Sequence, residues 1–399
     1  MPLKTFTGVN NILVIKLRHI GDVLLTVPAI RAIKESFPGA RVSALVNSGT
    51  EDMLTGNPLL HEVIPYRRAA KDASVAGRMT GELKFLRELR KRRFDMAVDL
   101  TSGDRPALIG FMCGARYRLG YDPAGSGFAG KKLLYTHVAK RPASRMHTVF
   151  RDAGVLRDFG IATADYTVDI HTSYEDDSSV EMLLAGHGIM AATPFVHAHP
   201  TSRWMFKCWT DAATADVLDR LESYGIRTVI TAGPDEKELS KVRAIKSLMK
   251  HAPVDLSARL TLKQLAALSK RCVLFFGVDT APMHIAAAAG ARVVSVFGPS
   301  GAFDWGPWDN SEIRERGADY SASVEAGCAY SPYPLRNGLQ RFGKNTVIQK
   351  DWDCVPCGKD GCNGSKKSDC LDAIDADSVW SIIKEIIPPR VSAGGTRQR

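Results

Sequence analysis

Short unbroken apolar runs, each followed by a stretch with helical spacing, constrain this sequence more than any other feature. Asn10-Asn11-Ile12-Leu13-Val14-Ile15-Lys16-Leu17 is the first such run, the pattern of a strand buried on both faces of a parallel sheet. The turn Arg18-His19-Ile20-Gly21-Asp22 comes next. Val23, Leu24, Val27, Ile30 and Ile33 then recur at helical spacing, with Pro28 kinking that helix or marking its true first turn. Strands over 42–46 and 96–100 and a helix over 83–93 continue the alternation, which predicts a doubly wound α/β domain. The segment 131–177 is less regular, and its polar end, 165–177, holds the boundary. After a helix over 180–185 a second series begins, with strands over 195–197, 228–231, 274–276 and 292–297 and helices near 212–223, 236–249, 262–269 and 282–289. The expected organisation is a first domain over 1–175, a second over 176–372, and a C-terminal helix and disordered tail over 373–399. Ligands bind beyond the carboxyl ends of strands in open parallel sheets, so two such domains facing each other would form a cleft.

What binds there is narrowed first by exclusion. No Walker A motif occurs and no Gly-x-Gly-x-x-Gly follows the first strand, which argues against a P-loop NTPase and an ordinary dinucleotide dehydrogenase. A net charge of +10 and a pI near 9.2 point to an anionic partner: nucleic acid, a phosphorylated sugar or lipid, or a membrane surface. No apolar run is long enough to cross a bilayer, and residues 1–11 lack the basic, apolar and small-residue order of a signal peptide. The expectation is a cytoplasmic protein.

Phe195-Val-His-Ala-His-Pro-Thr-Ser-Arg-Trp-Met-Phe-Lys-Cys-Trp209 starts as a buried strand and breaks at Pro200 into the hydroxyls Thr201 and Ser202 and the cations Arg203 and Lys207. Helical spacing resumes after Thr210. A strand that ends in hydroxyls and cations before a helix can hold a diphosphate, with backbone N–H groups facing the anion and side chains neutralising it. It can equally be an ordinary strand-to-helix loop with two surface cations. Phe276-Gly-Val-Asp279-Thr280-Ala281-Pro-Met-His284 is a second such turn, where Asp279 can bond a hydroxyl-rich group or cap the helix. Thr231-Ala-Gly-Pro-Asp235 and Phe297-Gly-Pro-Ser300 repeat the turn one unit earlier and one unit later. In the first domain Asp22 follows Gly21 at the end of strand one. A carboxylate there can act as general base toward an attacking hydroxyl, or it can cap the following helix.

Leu17-Arg-His-Ile-Gly-Asp22-Val-Leu, His199-Pro-Thr-Ser-Arg-Trp-Met-Phe-Lys-Cys-Trp209 and Gly277-Val-Asp-Thr-Ala-Pro-Met-His284 together resemble the lipopolysaccharide heptosyltransferases of glycosyltransferase family 9, in motif order and over about residues 11–300. The middle stretch is most like the type III members, which add a side-branch heptose to the inner core. The resemblance implies an α/β GT-B fold, two Rossmann-like doubly wound domains facing across a cleft, the first binding acceptor and the second binding ADP-heptose. It also implies an inverting transfer of L-glycero-D-manno-heptose to the inner core of lipopolysaccharide (a lipid A–Kdo–heptose acceptor) at the cytoplasmic face of the inner membrane, by a peripherally attached enzyme. Asp22 takes the position of the base, Lys207 that of the diphosphate contact, and Thr201, Ser202, Asp279, Thr280 and His284 those of the donor site. Asp235 and Ala281 fall beside them, although some members carry Gly at the latter position. Arg18, His19 and Gly21 fall on the acceptor side. The residue chemistry agrees: Asp22 can deprotonate an acceptor hydroxyl, and Lys207 with Arg203 can stabilise the departing diphosphate, so catalysis requires no metal.

Two features stand apart. Residues 84–93 form a basic helix with Leu83, Leu86 and Leu89 turned to the core. It can meet phosphorylated core sugars or anionic lipid headgroups, or be a solvated face. Cys354-x2-Cys357-x4-Cys362-x7-Cys370 can bind a structural zinc or an iron–sulfur cluster, or stay as free thiols. Asp375-Ala-Asp377 reads as a helix cap, not a divalent-metal motif. Two other functions stay open at this level. One is a nucleotide-sugar epimerase or hydrolase on the same fold. The other is a metal-binding nucleic-acid module, against which the scattered basic residues count, so no nucleic-acid partner is expected.

Overall fold

In a computed structural model the protein is described over residues 6–68, 74–141, 146–316 and 331–387. It divides into two compact units, Met1–His171 with Asp309–Pro334, and Thr172–Trp308 with Leu335–Arg399. The chain thus returns to the first unit after most of the second is built. Asn310 stitches the return: its side-chain amide accepts from the Val168 N–H at 2.8 Å and donates to the Val168 carbonyl at 2.9 Å. A return of this kind leaves no mark in hydrophobic periodicity, and residues 309–334 were expected in the second domain.

The first unit contains β1 (Asn11–Lys16), α1 (Ile20–Leu24), α2 (Val27–Ser36), β2 (Arg41–Asn47), β3 (Glu62–Tyr66), α3 (Val75–Lys91), β4 (Met96–Asp99), α4 (Asp104–Met112), β5 (Tyr117–Tyr121), β6 (His137–Ala139) and α5 (Thr148–Arg157). Its six strands are parallel in the order β3-β2-β1-β4-β5-β6. Pro28 falls in the first turn of α2, where a missing N–H costs nothing, and so divides α1 from α2.

The second unit contains α6 (Tyr174–Ala185), β7 (Phe195–His199), α7 (Asp211–Ser223), β8 (Arg227–Ile230), α8 (Glu236–Leu248), β9 (Val254–Asp255), α9 (Leu262–Arg271), β10 (Leu274–Val278), α10 (Ala281–Ala288), β11 (Val293–Val296), β12 (Gln340–Phe342), β13 (Asn345–Ile348) and α11 (Ala376–Ile386). The sheet runs β12-β13-β11-β10-β7-β8-β9, parallel except for the β12–β13 hairpin. Asp375 caps α11, its carboxylate accepting from the Ser378 N–H at 2.7 Å. Val379 and Ile383 of α11 join the same core as Leu218 and Leu221 of α7, so this helix is part of the second unit and not an appendage.

Both sheets reverse strand order beside their first strand, between β1 and β4 and between β7 and β10. At such a switch point the loops leave in opposite directions and open a crevice at the carboxyl edge. Gly277 serves the second one: a Cβ there would lie 2.6 Å from the His199 carbonyl, so only glycine lets β7 and β10 end this close together.

Lys16 is the exception in the apolar run of β1. Its buried ammonium donates to Asp152 of α5 at 2.6 Å and to the Leu100 carbonyl at 3.2 Å. Burial pushes the Asp152 carboxyl up to about 6; Lys16 pulls it back, and the charge of Asp22 pushes it further up. Removing one partner of a buried pair strands the other charge, at a cost of about 3–5 kcal/mol. A buried carboxyl raised above its unfolded value favours folding while protonated and loses that contribution as pH rises. Lys16→Met is therefore expected to destabilise the protein in urea titrations by about that amount at pH 8 and by less at pH 5. Lys16→Met with Asp152→Leu should recover most of the loss, and a single variant as stable as wild type would show that the pair is dispensable.

Candidate active site

The carboxyl edge of the first unit is built by the ends of β1 and β4. The Leu17 N–H donates to the Thr101 hydroxyl at 2.9 Å, and the Arg18 guanidinium donates to the Thr101 carbonyl at 3.0 Å. Asp99, buried at the end of β4, accepts from the Thr101 and Ser102 N–H groups at 2.8 and 3.0 Å and from the Tyr135 hydroxyl at 2.6 Å. Two loops are thereby fixed against each other. Asp22 stands in the first turn of α1, half-buried, with no hydrogen bond or ion pair among the described residues. His19, not Asp22, occupies the N-cap, so the capping role is ruled out for this carboxylate. Arg18 and His19 are exposed beside it, and Gly21 is buried.

At the edge of the second unit the loop after β7 meets the turn after β10. The Lys207 ammonium lies 2.6 Å from Asp279, and the Ser300 hydroxyl donates to the same carboxylate oxygen. Asp279 is buried, whereas Lys207 is partly open to solvent. Thr280, not Asp279, is the N-cap of α10, and its side chain makes no capping bond. Ala281 begins that helix and His284 is buried one turn along. Thr201 and Ser202 are buried, and the Thr201 hydroxyl donates to Glu238 of α8 at 2.6 Å. Glu238 also accepts from the Gly233 N–H at 3.2 Å.

Behind Thr201 a chain of polar groups runs into the sheet. His199 and His197 both bond the Thr231 hydroxyl at 2.8 Å, and His197 bonds Ser269 at 2.9 Å. Burial holds His199 down to about 3 and His197 well below its usual range, so both rings are neutral. Their role is to fix the loop through hydrogen bonds, not to carry charge.

Two of the expected donor residues are not part of this hydrogen-bonded cluster. Asp235 is exposed and caps α8, accepting from the Lys237 N–H at 2.9 Å. Arg203 is exposed, its guanidinium 5.7 Å from the Trp204 ring. Sequence reasoning missed Glu238, which looks like one charge among several on a solvated helix, and Lys16 with Asp152. A lysine inside an apolar run was the available signal for that pair. Ser300 was seen only as part of a turn.

The cysteine loop departs from expectation. Cys354 and Cys357 are exposed, Cys362 is half-buried and Cys370 is buried, all as free thiols. Among the described residues no three His, Cys, Asp or Glu side chains are grouped to hold a metal ion. Burial, together with the charges of the neighbouring thiols Cys362, Cys357 and Cys354, lifts Cys370 to about 11. The structural zinc or iron–sulfur reading thus finds no support among the described residues, nor does the metal-binding nucleic-acid module that rested on it.

Solved structures share this architecture. A glycosyl transferase family 9 protein from Veillonella parvula DSM 2008 matches 94% of this chain and 97% of its own with a TM-score of 0.73 at 19% identity. Escherichia coli ADP-heptose lps heptosyltransferase II matches 94% and 98% with a TM-score of 0.68 at 18% identity. Two doubly wound Rossmann-like units in one chain define a glycosyltransferase fold of the GT-B class. The family description glycosyltransferase family 9 (heptosyltransferase) matches residues 82–333. Lipopolysaccharide heptosyltransferase 3 of Escherichia coli (strain K12) is 31% identical over 305 residues, 76% of this chain and 87% of that one. The chain belongs to glycosyltransferase family 9.

Metal analysis of the purified protein is expected to find less than one equivalent of zinc or iron. A full equivalent that resists dialysis would restore the metal reading of the four cysteines.

Proposed function

We propose that this protein is an inverting heptosyltransferase that moves L-glycero-D-manno-heptose from ADP-heptose to the inner core of lipopolysaccharide, in the manner of the type III enzymes. The observation that carries the reading is the Lys207–Asp279–Ser300 cluster at the switch point of the second unit, a cation and two hydrogen-bonding groups where a nucleotide diphosphate would sit. Its likeness to lipopolysaccharide heptosyltransferase 3 supports the choice of donor and acceptor.

The chemistry follows from the side chains. In the ligand-free protein Asp279 neutralises Lys207. A diphosphate competes for that ammonium, and Asp279 is released to accept from a donor hydroxyl. As the glycosidic bond breaks, negative charge grows on the departing diphosphate, and Lys207 stabilises it more strongly than it stabilises the bound donor. Thr201 is held in place for the donor by Glu238 and His199, the Ser202 hydroxyl accepts from the Trp204 N–H, and Thr280, Ala281 and His284 line the same edge from α10. Asp22, exposed enough to meet an acceptor and unpaired among the described residues, takes the hydroxyl proton as the new bond forms at the anomeric carbon. Arg18 and His19 flank it for an anionic acceptor. We assign acceptor binding to the first unit and donor binding to the second. No described helix is long and apolar enough to cross a membrane, and the lipid-linked acceptor calls for peripheral contact with the cytoplasmic face of the inner membrane.

Calorimetric titration with ADP-heptose, ADP-glucose and a UDP-sugar tests the donor; tightest binding of a UDP-sugar would overturn the reading. Asp22→Ala is expected to lower kcat by about 10²–10⁴ while leaving the ADP-heptose affinity within a factor of about two, and undiminished turnover would remove Asp22 from the mechanism. Lys207→Ala should lower kcat/KM by about 10²–10³ and weaken donor binding with it; unchanged kinetics would defeat the diphosphate contact.

A further inference from the structure

Helix α3 has an apolar stripe longer than the core it packs on. Leu86 and Leu89 near its C-terminal end are buried, as the basic-helix pattern requires. Leu83, expected in the core, is 44% exposed, and Met79 and Val75, one and two turns earlier on the same side, are 62% and 69% exposed. Spacing of 4, 4 and 3 residues makes Val75, Met79, Leu83 and Leu86 one continuous stripe. Its N-terminal half is largely open to solvent. Beside it α4 exposes Leu108, Phe111 and Met112. Scattered exposed apolar side chains need no explanation, but six on two adjoining helices form a patch.

The charge on this face is of one sign. A groove of about 430 Å³ lies between α3, α4 and the start of β5, with Leu83, Leu86, Phe111 and Met112 as its walls and Arg87, Arg90 and Arg118 at its rim. No carboxylate lines it. Arg118 is fixed there by the Leu134 carbonyl at 2.6 Å and the Ala115 carbonyl at 2.8 Å, with its guanidinium 5.3 Å from the Phe111 ring. Arg90 donates to the Met112 carbonyl at 3.4 Å. None of the three is neutralised by an ion pair among the described residues. The acidic residues of α3 are engaged elsewhere, Glu82 with the Tyr66 hydroxyl and Glu88 with Lys91.

We propose that this face docks on an anionic phospholipid bilayer, the stripe of α3 and the α4 side chains entering the headgroup layer while the three arginines hold lipid phosphates. Apolar side chains bordered by unpaired guanidiniums are complementary to a surface that is negative outside and apolar beneath. A protein partner of similar area would be expected to meet some acidic residue on this side, and there is none in the groove. Because α3 follows β3 and runs back against the strand direction, Val75 lies at the carboxyl edge of the sheet, the edge that holds Asp22. Arg90, Met112 and Arg118 lie toward the amino edge, so docking through the whole face would lay the α3–α4 layer along the membrane, with the carboxyl edge at one end of the contact. The inference rests on the proposed function for its acceptor but stands on its own observations for the surface.

The test is flotation of the full chain with vesicles of phosphatidylethanolamine containing a quarter phosphatidylglycerol, and with phosphatidylcholine alone. Wild type should float with the anionic vesicles and not the neutral ones. Met79→Asp with Leu83→Asp should lower partition at least tenfold, and Arg87→Gln with Arg90→Gln about fivefold for each charge removed. These side chains are exposed, and melting curves that match wild type exclude misfolding. Heptose transfer to an acyl-free core oligosaccharide should be unchanged in both variants, while transfer to vesicle-borne acceptor should fall. Variants that float like wild type, or a wild type indifferent to phosphatidylglycerol, would overturn the proposal. So would a change in self-association by sedimentation velocity without vesicles, which would make the face a contact between copies. Failure of wild type to use the soluble acceptor, with flotation as expected, would overturn the heptosyltransferase reading and leave the docking surface standing.

Discussion

Burial of both faces of each parallel sheet is the constraint on which the rest depends. Helices cover the faces, so strands such as β1 and β10 are apolar almost throughout, and polar side chains have only the edges left to occupy. The carboxyl edge is special because the strand order reverses there, and both switch points carry the polar clusters described above. Where a charge does enter a strand, as Lys16 does, it requires a buried partner from a covering helix, and Asp152 supplies it. That pair lies within electrostatic reach of Asp22, so the core of the first unit and its proposed base are coupled through charge.

The second unit solves a different problem: keeping a loop of hydroxyls and cations in one arrangement without ligand. Thr201 is held by Glu238, the backbone at Gly233 by the same carboxylate, and the strand behind them by neutral histidines sharing the Thr231 hydroxyl. Asp279 is the hub on the other side, shared by Lys207 and Ser300. A preorganised site of this kind spends less of its binding free energy on ordering itself. The pairing of Lys207 with Asp279 also keeps a partly buried cation from standing alone.

Outside the two edges, the chain carries features that packing does not require. The stripe of α3 continues past its own core, and Phe111 and Met112 are exposed beside arginines that have no acidic partners in the groove. The cysteine loop is the opposite case: its spacing suggests a function, yet Cys354 and Cys357 face solvent while Cys370 packs inside. The four thiols are near enough for the other three to act on Cys370 through their charge, yet among the described residues they are not grouped to hold a metal ion.

The sequence alone determined the fold class and the turns that matter. Unbroken apolar runs report burial on two faces, and the polar breaks after β1, β7 and β10 report where strands end, so the turns that carry Asp22, Thr201, Lys207 and Asp279 could be placed at strand ends in advance. Periodicity could not supply the short strands β3, β5 and β6, whose mixed composition gives no clear run, nor the return of residues 309–334 to the first unit. Only the tertiary structure assigned Asp235 to capping α8, recruited Glu238 from a helix that reads as solvated, and turned Leu83 outward. The physical reason is common to all three. A residue's type and local spacing fix its conformation within a turn or two, whereas its partner, its burial and hence its charge state depend on which distant segment packs against it.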